Sequence, residues 1–170
     1  MSGAPEPEPQ EGASPLAGLL APERVACNLH ASSKKRALEL LADLLASADP
    51  ALSQSAVFES LIGRERLGST GLGHGVAIPH ARMRGAQRAV GAFVKLDEGI
   101  DFDAADERPV DLLFALLVPE HYTNEHLALL AELARMFSDP ELCRELRASC
   151  TSEHALELLT HWKGEHAPGP

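Results

Sequence analysis

Leu67-Gly68-Ser69-Thr70-Gly71-Leu72-Gly73-His74-Gly75-Val76-Ala77-Ile78-Pro79-His80-Ala81-Arg82 is the most informative stretch of this chain. Four glycines fall among the eight residues from Gly68 to Gly75. Glycine lets the backbone take positive φ and approach other groups closely. Successive N–H groups in such a loop can form a concavity for an anion. A β-like run, Gly75 to His80, follows and ends in Pro79-His80. A histidine just beyond such a loop is a candidate for phosphate chemistry. Spacing alone leaves a second reading open, in which the glycines are only a tight connection.

The segments downstream of His80 alternate in type. Ala89 to Leu96 reads as a strand ended by Asp97-Glu98-Gly99. Pro109 to Val118 reads as another, and its run Leu112-Leu113-Phe114-Ala115-Leu116-Leu117-Val118 is apolar at every position, as in a strand covered on both faces. Thr123 is placed to cap a helix from Asn124 to Phe137 with a stripe of Leu127, Leu130, Ala134 and Phe137. Ser138-Asp139-Pro140 opens a helix burying Leu142, Cys143 and Leu146. Thr151 or Ser152 opens the last one, with Ala155, Leu158, Leu159 and Trp162 inward.

Upstream, Leu16 to Pro22 reads as a short helical turn and Val25 to Leu29 as a strand. Ser32 or Ser33 caps a helix from Lys34 to about Ala46, whose Ala37, Leu38, Leu41, Leu44 and Leu45 follow i, i+3, i+4, i+7 spacing. Asp49 as cap with Pro50 at the first position predicts a helix to about Arg66, burying Val57, Phe58, Leu61 and Ile62. The expected architecture is α/β: a small mixed sheet of about five strands sandwiched between helices, in one domain over 16–163. Residues 1–15, rich in Pro and Glu, are expected to be a disordered acidic lead, and 164–170 a disordered tail.

Bulk composition excludes several classes. The 170 residues carry 15 Lys+Arg against 25 Asp+Glu, a net charge of −10. That balance argues against binding nucleic acid or an anionic membrane, both of which need a basic surface. No apolar segment approaches the length of a membrane span. Cys27, Cys143 and Cys150 match no zinc or redox motif, and reduced thiols in a cytoplasmic protein are expected.

Neutral imidazole is a good nucleophile, with an ordinary pKa near ~6.5. It can take a phosphoryl group on one nitrogen while a hydrogen bond to the other fixes the tautomer. Such transfer needs donors and cations for the phosphoryl oxygens. Arg64, Arg66 and Arg82 lie nearby in sequence. His126 falls in the first turn of its helix, where a helix N-terminus favours anions and disfavours imidazolium. A neutral His126 could donate to a phosphoryl oxygen or orient His80. A nucleotide-binding loop fits poorly, because these glycines follow a helix and precede a strand, the reverse of the P-loop and Rossmann order. A zinc site from His74, His80, His121 and His126 lacks helical i, i+4 spacing and a carboxylate ligand motif, so no metal is expected.

Three segments together, Arg64-Glu65-Arg66-Leu67-Gly68-Ser69-Thr70-Gly71, Gly75-Val76-Ala77-Ile78-Pro79-His80 and Pro109 to Pro119, resemble the enzyme IIA domains of the bacterial phosphotransferase system. The similarity is to the nitrogen-regulatory branch of the mannitol/fructose-type superfamily and runs from about Leu16 to Trp162. The resemblance implies a five-stranded mixed sheet between helices and a phosphoryl carrier without cofactors. It implies His80 as the phosphorylated residue, Arg64 as the group holding the phosphoryl, and His126 as the second histidine of the site. Gly68, Ser69, Thr70, Gly71, Gly73 and Gly75 would form the phosphate loop. The donor would be an HPr-like phosphocarrier protein, charged from phosphoenolpyruvate through an enzyme I. Downstream partners would be regulatory targets such as a sensor kinase or potassium transport components. Two residues depart from the family pattern. His74 stands where a small or amide residue is usual, and Glu125 sets a carboxylate beside His126 that would raise its pKa. No IIB or IIC segment is present, which favours a regulator over its alternative, a free-standing fructose- or mannitol-type IIA feeding a separate IIB. A non-catalytic small-ligand or nucleotide-binding module is the alternative from another class.

Overall fold

The apolar run 112–118 forms the heart of strand β6, Val110–Pro119, in the computed structural model, which describes residues 16–149 and 151–162. The expected lead 1–15 and tail 164–170 lie outside the described residues. Strand β5, Val90–Ile100, pairs antiparallel with β6, and β1, Val25–Leu29, pairs parallel with β5 on its far side. The other edge of β6 carries two short parallel segments, β3, Val76–Ala77, and β4, His80–Met83. Strand β2, Gly71–Gly73, closes that edge antiparallel to β3. The sheet is mixed and has six strands in five positions, because β3 and β4 occupy one position in succession.

The break between β3 and β4 corrects the expected single strand from Gly75 to His80. Val76 pairs with Leu112 and His80 with Leu116, so both segments keep one register along β6. The interruption is Ile78-Pro79, since proline has no N–H for the ladder. The Ile78 N–H turns instead to the Thr70 carbonyl at 3.1 Å, and Pro79 O accepts from Leu116 N at 2.9 Å. His80 is therefore the first residue of a strand and not the end of one.

Alternation along β6 splits the core in two. Leu113, Ala115 and Leu117 pack with Leu38, Leu41, Leu45, Val57 and Leu61 of helices α1, Lys34–Ala46, and α2, Gln54–Glu65. Leu112, Phe114, Leu116 and Val118 face helices α3, Asn124–Phe137, α4, Pro140–Ala148, and α5, Ser152–Thr160. Burying each such side chain contributes about 1.5–3 kcal/mol. Period-two strands between period-3.6 helices produce this sandwich directly. Among the described residues no helix is long and apolar enough to cross a membrane.

Four local expectations are corrected. Helix α2 starts after Ser53, whose hydroxyl accepts from Ala56 N, while the Asp49 carboxylate takes the Ala51 N–H in a turn of its own. Strand β5 runs on through Asp97-Glu98-Gly99 to Ile100, which reaches Val110 after a register shift. Thr123 makes no side-chain cap, its backbone being already helical. Helix α3 buries His126, Leu133, Met136 and Phe137, leaving Leu127 of the expected stripe 67% exposed. Ser33, Asp139 and Thr151 do cap their helices.

Candidate functional site

His80 stands half-buried at the start of β4, and its Nδ1 lies 2.8 Å from the Ile78 carbonyl oxygen. A carbonyl only accepts, so Nδ1 carries the proton and the neutral ring keeps its lone pair on Nε2. Burial pushes the His80 pKa below its ordinary value; the Arg64 charge pushes the same way, while the Ile78 hydrogen bond and Glu65 oppose. A ring that resists protonation keeps its nucleophilic pair at neutral pH.

His126, third residue of α3, lies edge-on to His80 with ring centroids 5.2 Å apart and planes at 70°. Its pKa is lowered to about 4, by burial first and then by His80, Arg82 and Arg64. The expected upward push from Glu125 does not occur. Glu125 is exposed, and adjacent helix residues point in different directions. The buried Nε2 of His126 has no hydrogen-bond partner. An unsatisfied buried polar atom is costly, so this nitrogen is a group awaiting a ligand.

Arg64 sits in the last turn of α2, where its Nη1 donates to Gly68 O at 2.8 Å. With His80 it borders two clefts. The larger, of about 710 Å³, is lined also by Arg82, His126, Leu67 and Leu127. The smaller, of about 350 Å³, lies between the glycine stretch and α3 and is lined by Ser69, Thr70, Gly71, Leu72, Leu130 and Ala134. Exposed Leu127 and half-buried Leu130 and Ala134 of α3 thus border these clefts. Leu67, 84% exposed, stands out on the rim.

The glycine stretch divides in two. Ser69, Thr70 and Gly71 face the smaller cleft, but most of their donors are engaged within the protein. Gly68 N donates to Glu65 O, Thr70 N to the Glu65 carboxylate, Gly71 N to Ser69 Oγ, and Ser69 Oγ to Phe102 O. Gly73 and Gly75 lie in the β2–β3 hairpin and line neither cleft. Its two-residue loop, His74-Gly75, has φ of 58° and 82°. Both positions favour Asn or Gly over a residue such as His. A Cβ on Gly75 would lie 2.5 Å from Arg147 Nη2. His74 is exposed, with its N–H on Asp106 and its carbonyl on Arg147.

The cationic side chains bordering the larger cleft with His80 are Arg64 and Arg82. Arg82 was singled out by the sequence only as a neighbour; two residues along a strand from His80, it shares that residue's face. Among the described residues, no three His, Cys, Asp or Glu side chains are grouped as metal ligands would be.

Comparison with known proteins gives concordant results. Residues 18–162 match the family described as "Phosphoenolpyruvate-dependent sugar phosphotransferase system, EIIA 2". The chain is 45% identical over 144 residues to the nitrogen regulatory protein of Pseudomonas aeruginosa, covering 85% of this chain and 94% of that protein. It is 44% identical over 150 residues to the nitrogen regulatory protein of Escherichia coli K12, covering 88% and 91%. The crystal structure of nitrogen regulatory protein IIA-Ntr from Neisseria meningitidis superposes with a TM-score of 0.81 at 42% identity, covering 86% of this chain and all, 100%, of that one.

Proposed function

The chain belongs to the phosphoenolpyruvate-dependent sugar phosphotransferase system EIIA 2 family, and on that premise we propose that it carries a phosphoryl group on His80 Nε2. The observation that carries this reading is the Ile78 hydrogen bond, which holds the proton on Nδ1 and leaves the Nε2 pair free. An HPr-like phosphocarrier protein of the nitrogen branch is the donor. The Nε2 pair attacks the phosphorus of the carrier's phosphohistidine. The new N–P bond forms as the carrier's N–P bond breaks, and the electron pair of that bond returns to the carrier's ring. Arg64 and Arg82 offset the charge on the phosphoryl oxygens, and neutral His126 donates its Nε2–H to one of them. Preorganised donors of this kind typically contribute about 10²–10³ each in rate. The exposed Leu67, Leu72 and Leu127 around the clefts suit a protein partner better than a small molecule.

The phosphoryl group adds a near-dianion to this face, which changes what can dock there. We assign the protein a regulatory role, in which nitrogen-related targets read the phosphorylation state of His80. This role rests on the nitrogen regulatory relatives. Incubation with phosphoenolpyruvate, enzyme I and the carrier should yield an acid-labile, base-stable phosphate on wild type and none on His80→Ala. Label retained by His80→Ala would refute the assignment. Rapid onward transfer to a sugar IIB domain, with sugar phosphate formed, would replace the regulator by a transport component.

A further inference from the structure

Glu65 is a buried carboxylate at the end of α2, 6% exposed, that lines neither cleft. A buried charge is tolerated only when paired and hydrogen-bonded. Lys34 Nζ, from the first residue of α1, lies 2.9 Å from its Oε1. Lys34 also donates to Phe102 O at 3.3 Å and sits 4.6 Å over the Phe102 ring. The other partner of Glu65 is Thr70, which gives its N–H at 3.2 Å and also its hydroxyl. Thr70 in turn accepts the Ile78 N–H at 3.1 Å, and Ile78 accepts His80 Nδ1–H at 2.8 Å. Two separate segments, the start of α1 and the glycine-rich stretch, thus meet on one carboxylate, and an unbroken series of hydrogen-bonded residues leads from it to the reacting ring.

We propose that Glu65 is a positioning residue for His80: it fixes Thr70, Thr70 fixes Ile78, and the Ile78 carbonyl then holds the ring proton on Nδ1. The need for such a support lies in the Ile78-Pro79 interruption. At that point the strand loses its ladder donor, and the carbonyl that selects the tautomer has no neighbouring strand bond on the proline side. Thr70 supplies the missing restraint through the Ile78 N–H. A threonine on a glycine-rich segment would wander without its own anchor, and Glu65 provides two bonds to it. A displacement of a few tenths of an ångström at Ile78 would weaken the Nδ1–H bond and release the ring to the other tautomer, in which Nε2 carries the proton and has no pair to offer.

This inference rests on His80 being the nucleophile, but its first readout does not need phosphate. Long-range ¹⁵N–¹H correlation on the unphosphorylated protein should find His80 as the Nδ1–H tautomer in wild type and as a mixture in Glu65→Gln. Transfer from the phosphocarrier should then fall about tenfold in kcat, with KM for the carrier unchanged because Glu65 is buried away from the docking face. Thr70→Val, which keeps the N–H and removes the hydroxyl, should move both readouts the same way by less, and serves if Glu65→Gln does not fold. An Nε2–H tautomer in wild type, or a folded variant with wild-type tautomer and kcat, overturns the proposal. A tautomer shift in a protein that accepts no phosphate would uphold the positioning role and refute the carrier reading instead.

Discussion

Two arginines hold the two ends of the glycine stretch, and they are used differently. Arg147 of α4 donates to His74 O at 2.7 Å and grips the Asp111 carboxylate through Nε and Nη2 at 3.0–3.2 Å. Arg64 of α2 likewise donates to a backbone carbonyl, Gly68 O at 2.8 Å. Among the described residues, no carboxylate lies within salt-bridge distance of Arg64. The first guanidinium is paired fork-on-fork through Nε and Nη2, and its charge is neutralised on the spot. The second is tethered at one nitrogen and keeps its remaining donors and its charge for the clefts beside His80. An arginine with its own carboxylate is a clamp, whereas one without it is a receptor for an incoming anion.

The sharpest way to break this contrast is Arg64→Ala. The rate of transfer to His80 should drop by about 10²-fold, with thermal stability nearly unchanged. Steady-state transfer and a melting curve on the same sample decide it, and a wild-type rate would remove Arg64 from the site. The reciprocal change is Arg147→Ala, expected to cost about 1–3 kcal/mol of stability in denaturant unfolding, because a half-exposed Asp111 and the His74 carbonyl lose their donors. Transfer by the folded fraction should stay at the wild-type level. A loss of rate without loss of stability would erase the distinction between the two arginines.

Acidification probes the receptor end more gently. The folded state keeps His126 neutral down to about pH 4, whereas an unfolded histidine protonates near ~6.5. The unfolded chain therefore binds more protons in this window. The stability due to His126 is complete above about pH 6.5 and is lost as pH falls toward 4. His80 acts in the same direction. His126→Leu should lose less stability than wild type between pH 7 and pH 5, by urea unfolding at each pH; an equal loss would mean that the ring is not held neutral. The smallest effect is at the clamped end. His74→Asn should raise stability by a few tenths of a kcal/mol, about 0.3, since Asn tolerates positive φ better, and should leave transfer untouched. A change in rate there would show the hairpin taking part in the chemistry.

Much of the fold was legible residue by residue. The apolar run 112–118 announced a strand covered on both faces, and the stripes of α1 and α4 named their buried residues. Helix α3 was read less well. Leu127, Leu130 and Ala134 keep helical spacing, but apolar spacing does not say whether a stripe meets a core or a partner protein. Phe137 of the expected stripe reaches the interior with Leu133 and Met136, Leu130 packs partly against it, and Leu127 faces outward. Strand β5 was cut short because Asp97-Glu98-Gly99 reads as a turn, and only its pairing with β6 carries it through to Ile100. Asp49-Pro50 imitates a helix start, but Asp49 spends its carboxylate on a local turn.

The sequence by itself determined the alternation of strands and helices and narrowed the caps to Ser32 or Ser33, to Ser138-Asp139, and to Thr151 or Ser152, among which the structure selects Ser33, Asp139 and Thr151. It also singled out Arg64, His80 and His126 as candidates. These are local properties, set by period, side-chain branching and hydrogen bonds to near neighbours. Tertiary structure alone decided which arginine is free and which nitrogen of His80 is bare. It also decided which glycines lie by the clefts and which donors the loop has already used. Some of those answers depend on groups far apart along the chain, such as Arg147 and His74, separated by 73 residues, and others, such as the Ile78–His80 hydrogen bond, on local backbone geometry that the sheet imposes. Charge and hydrogen-bond capacity are assigned only when such groups meet.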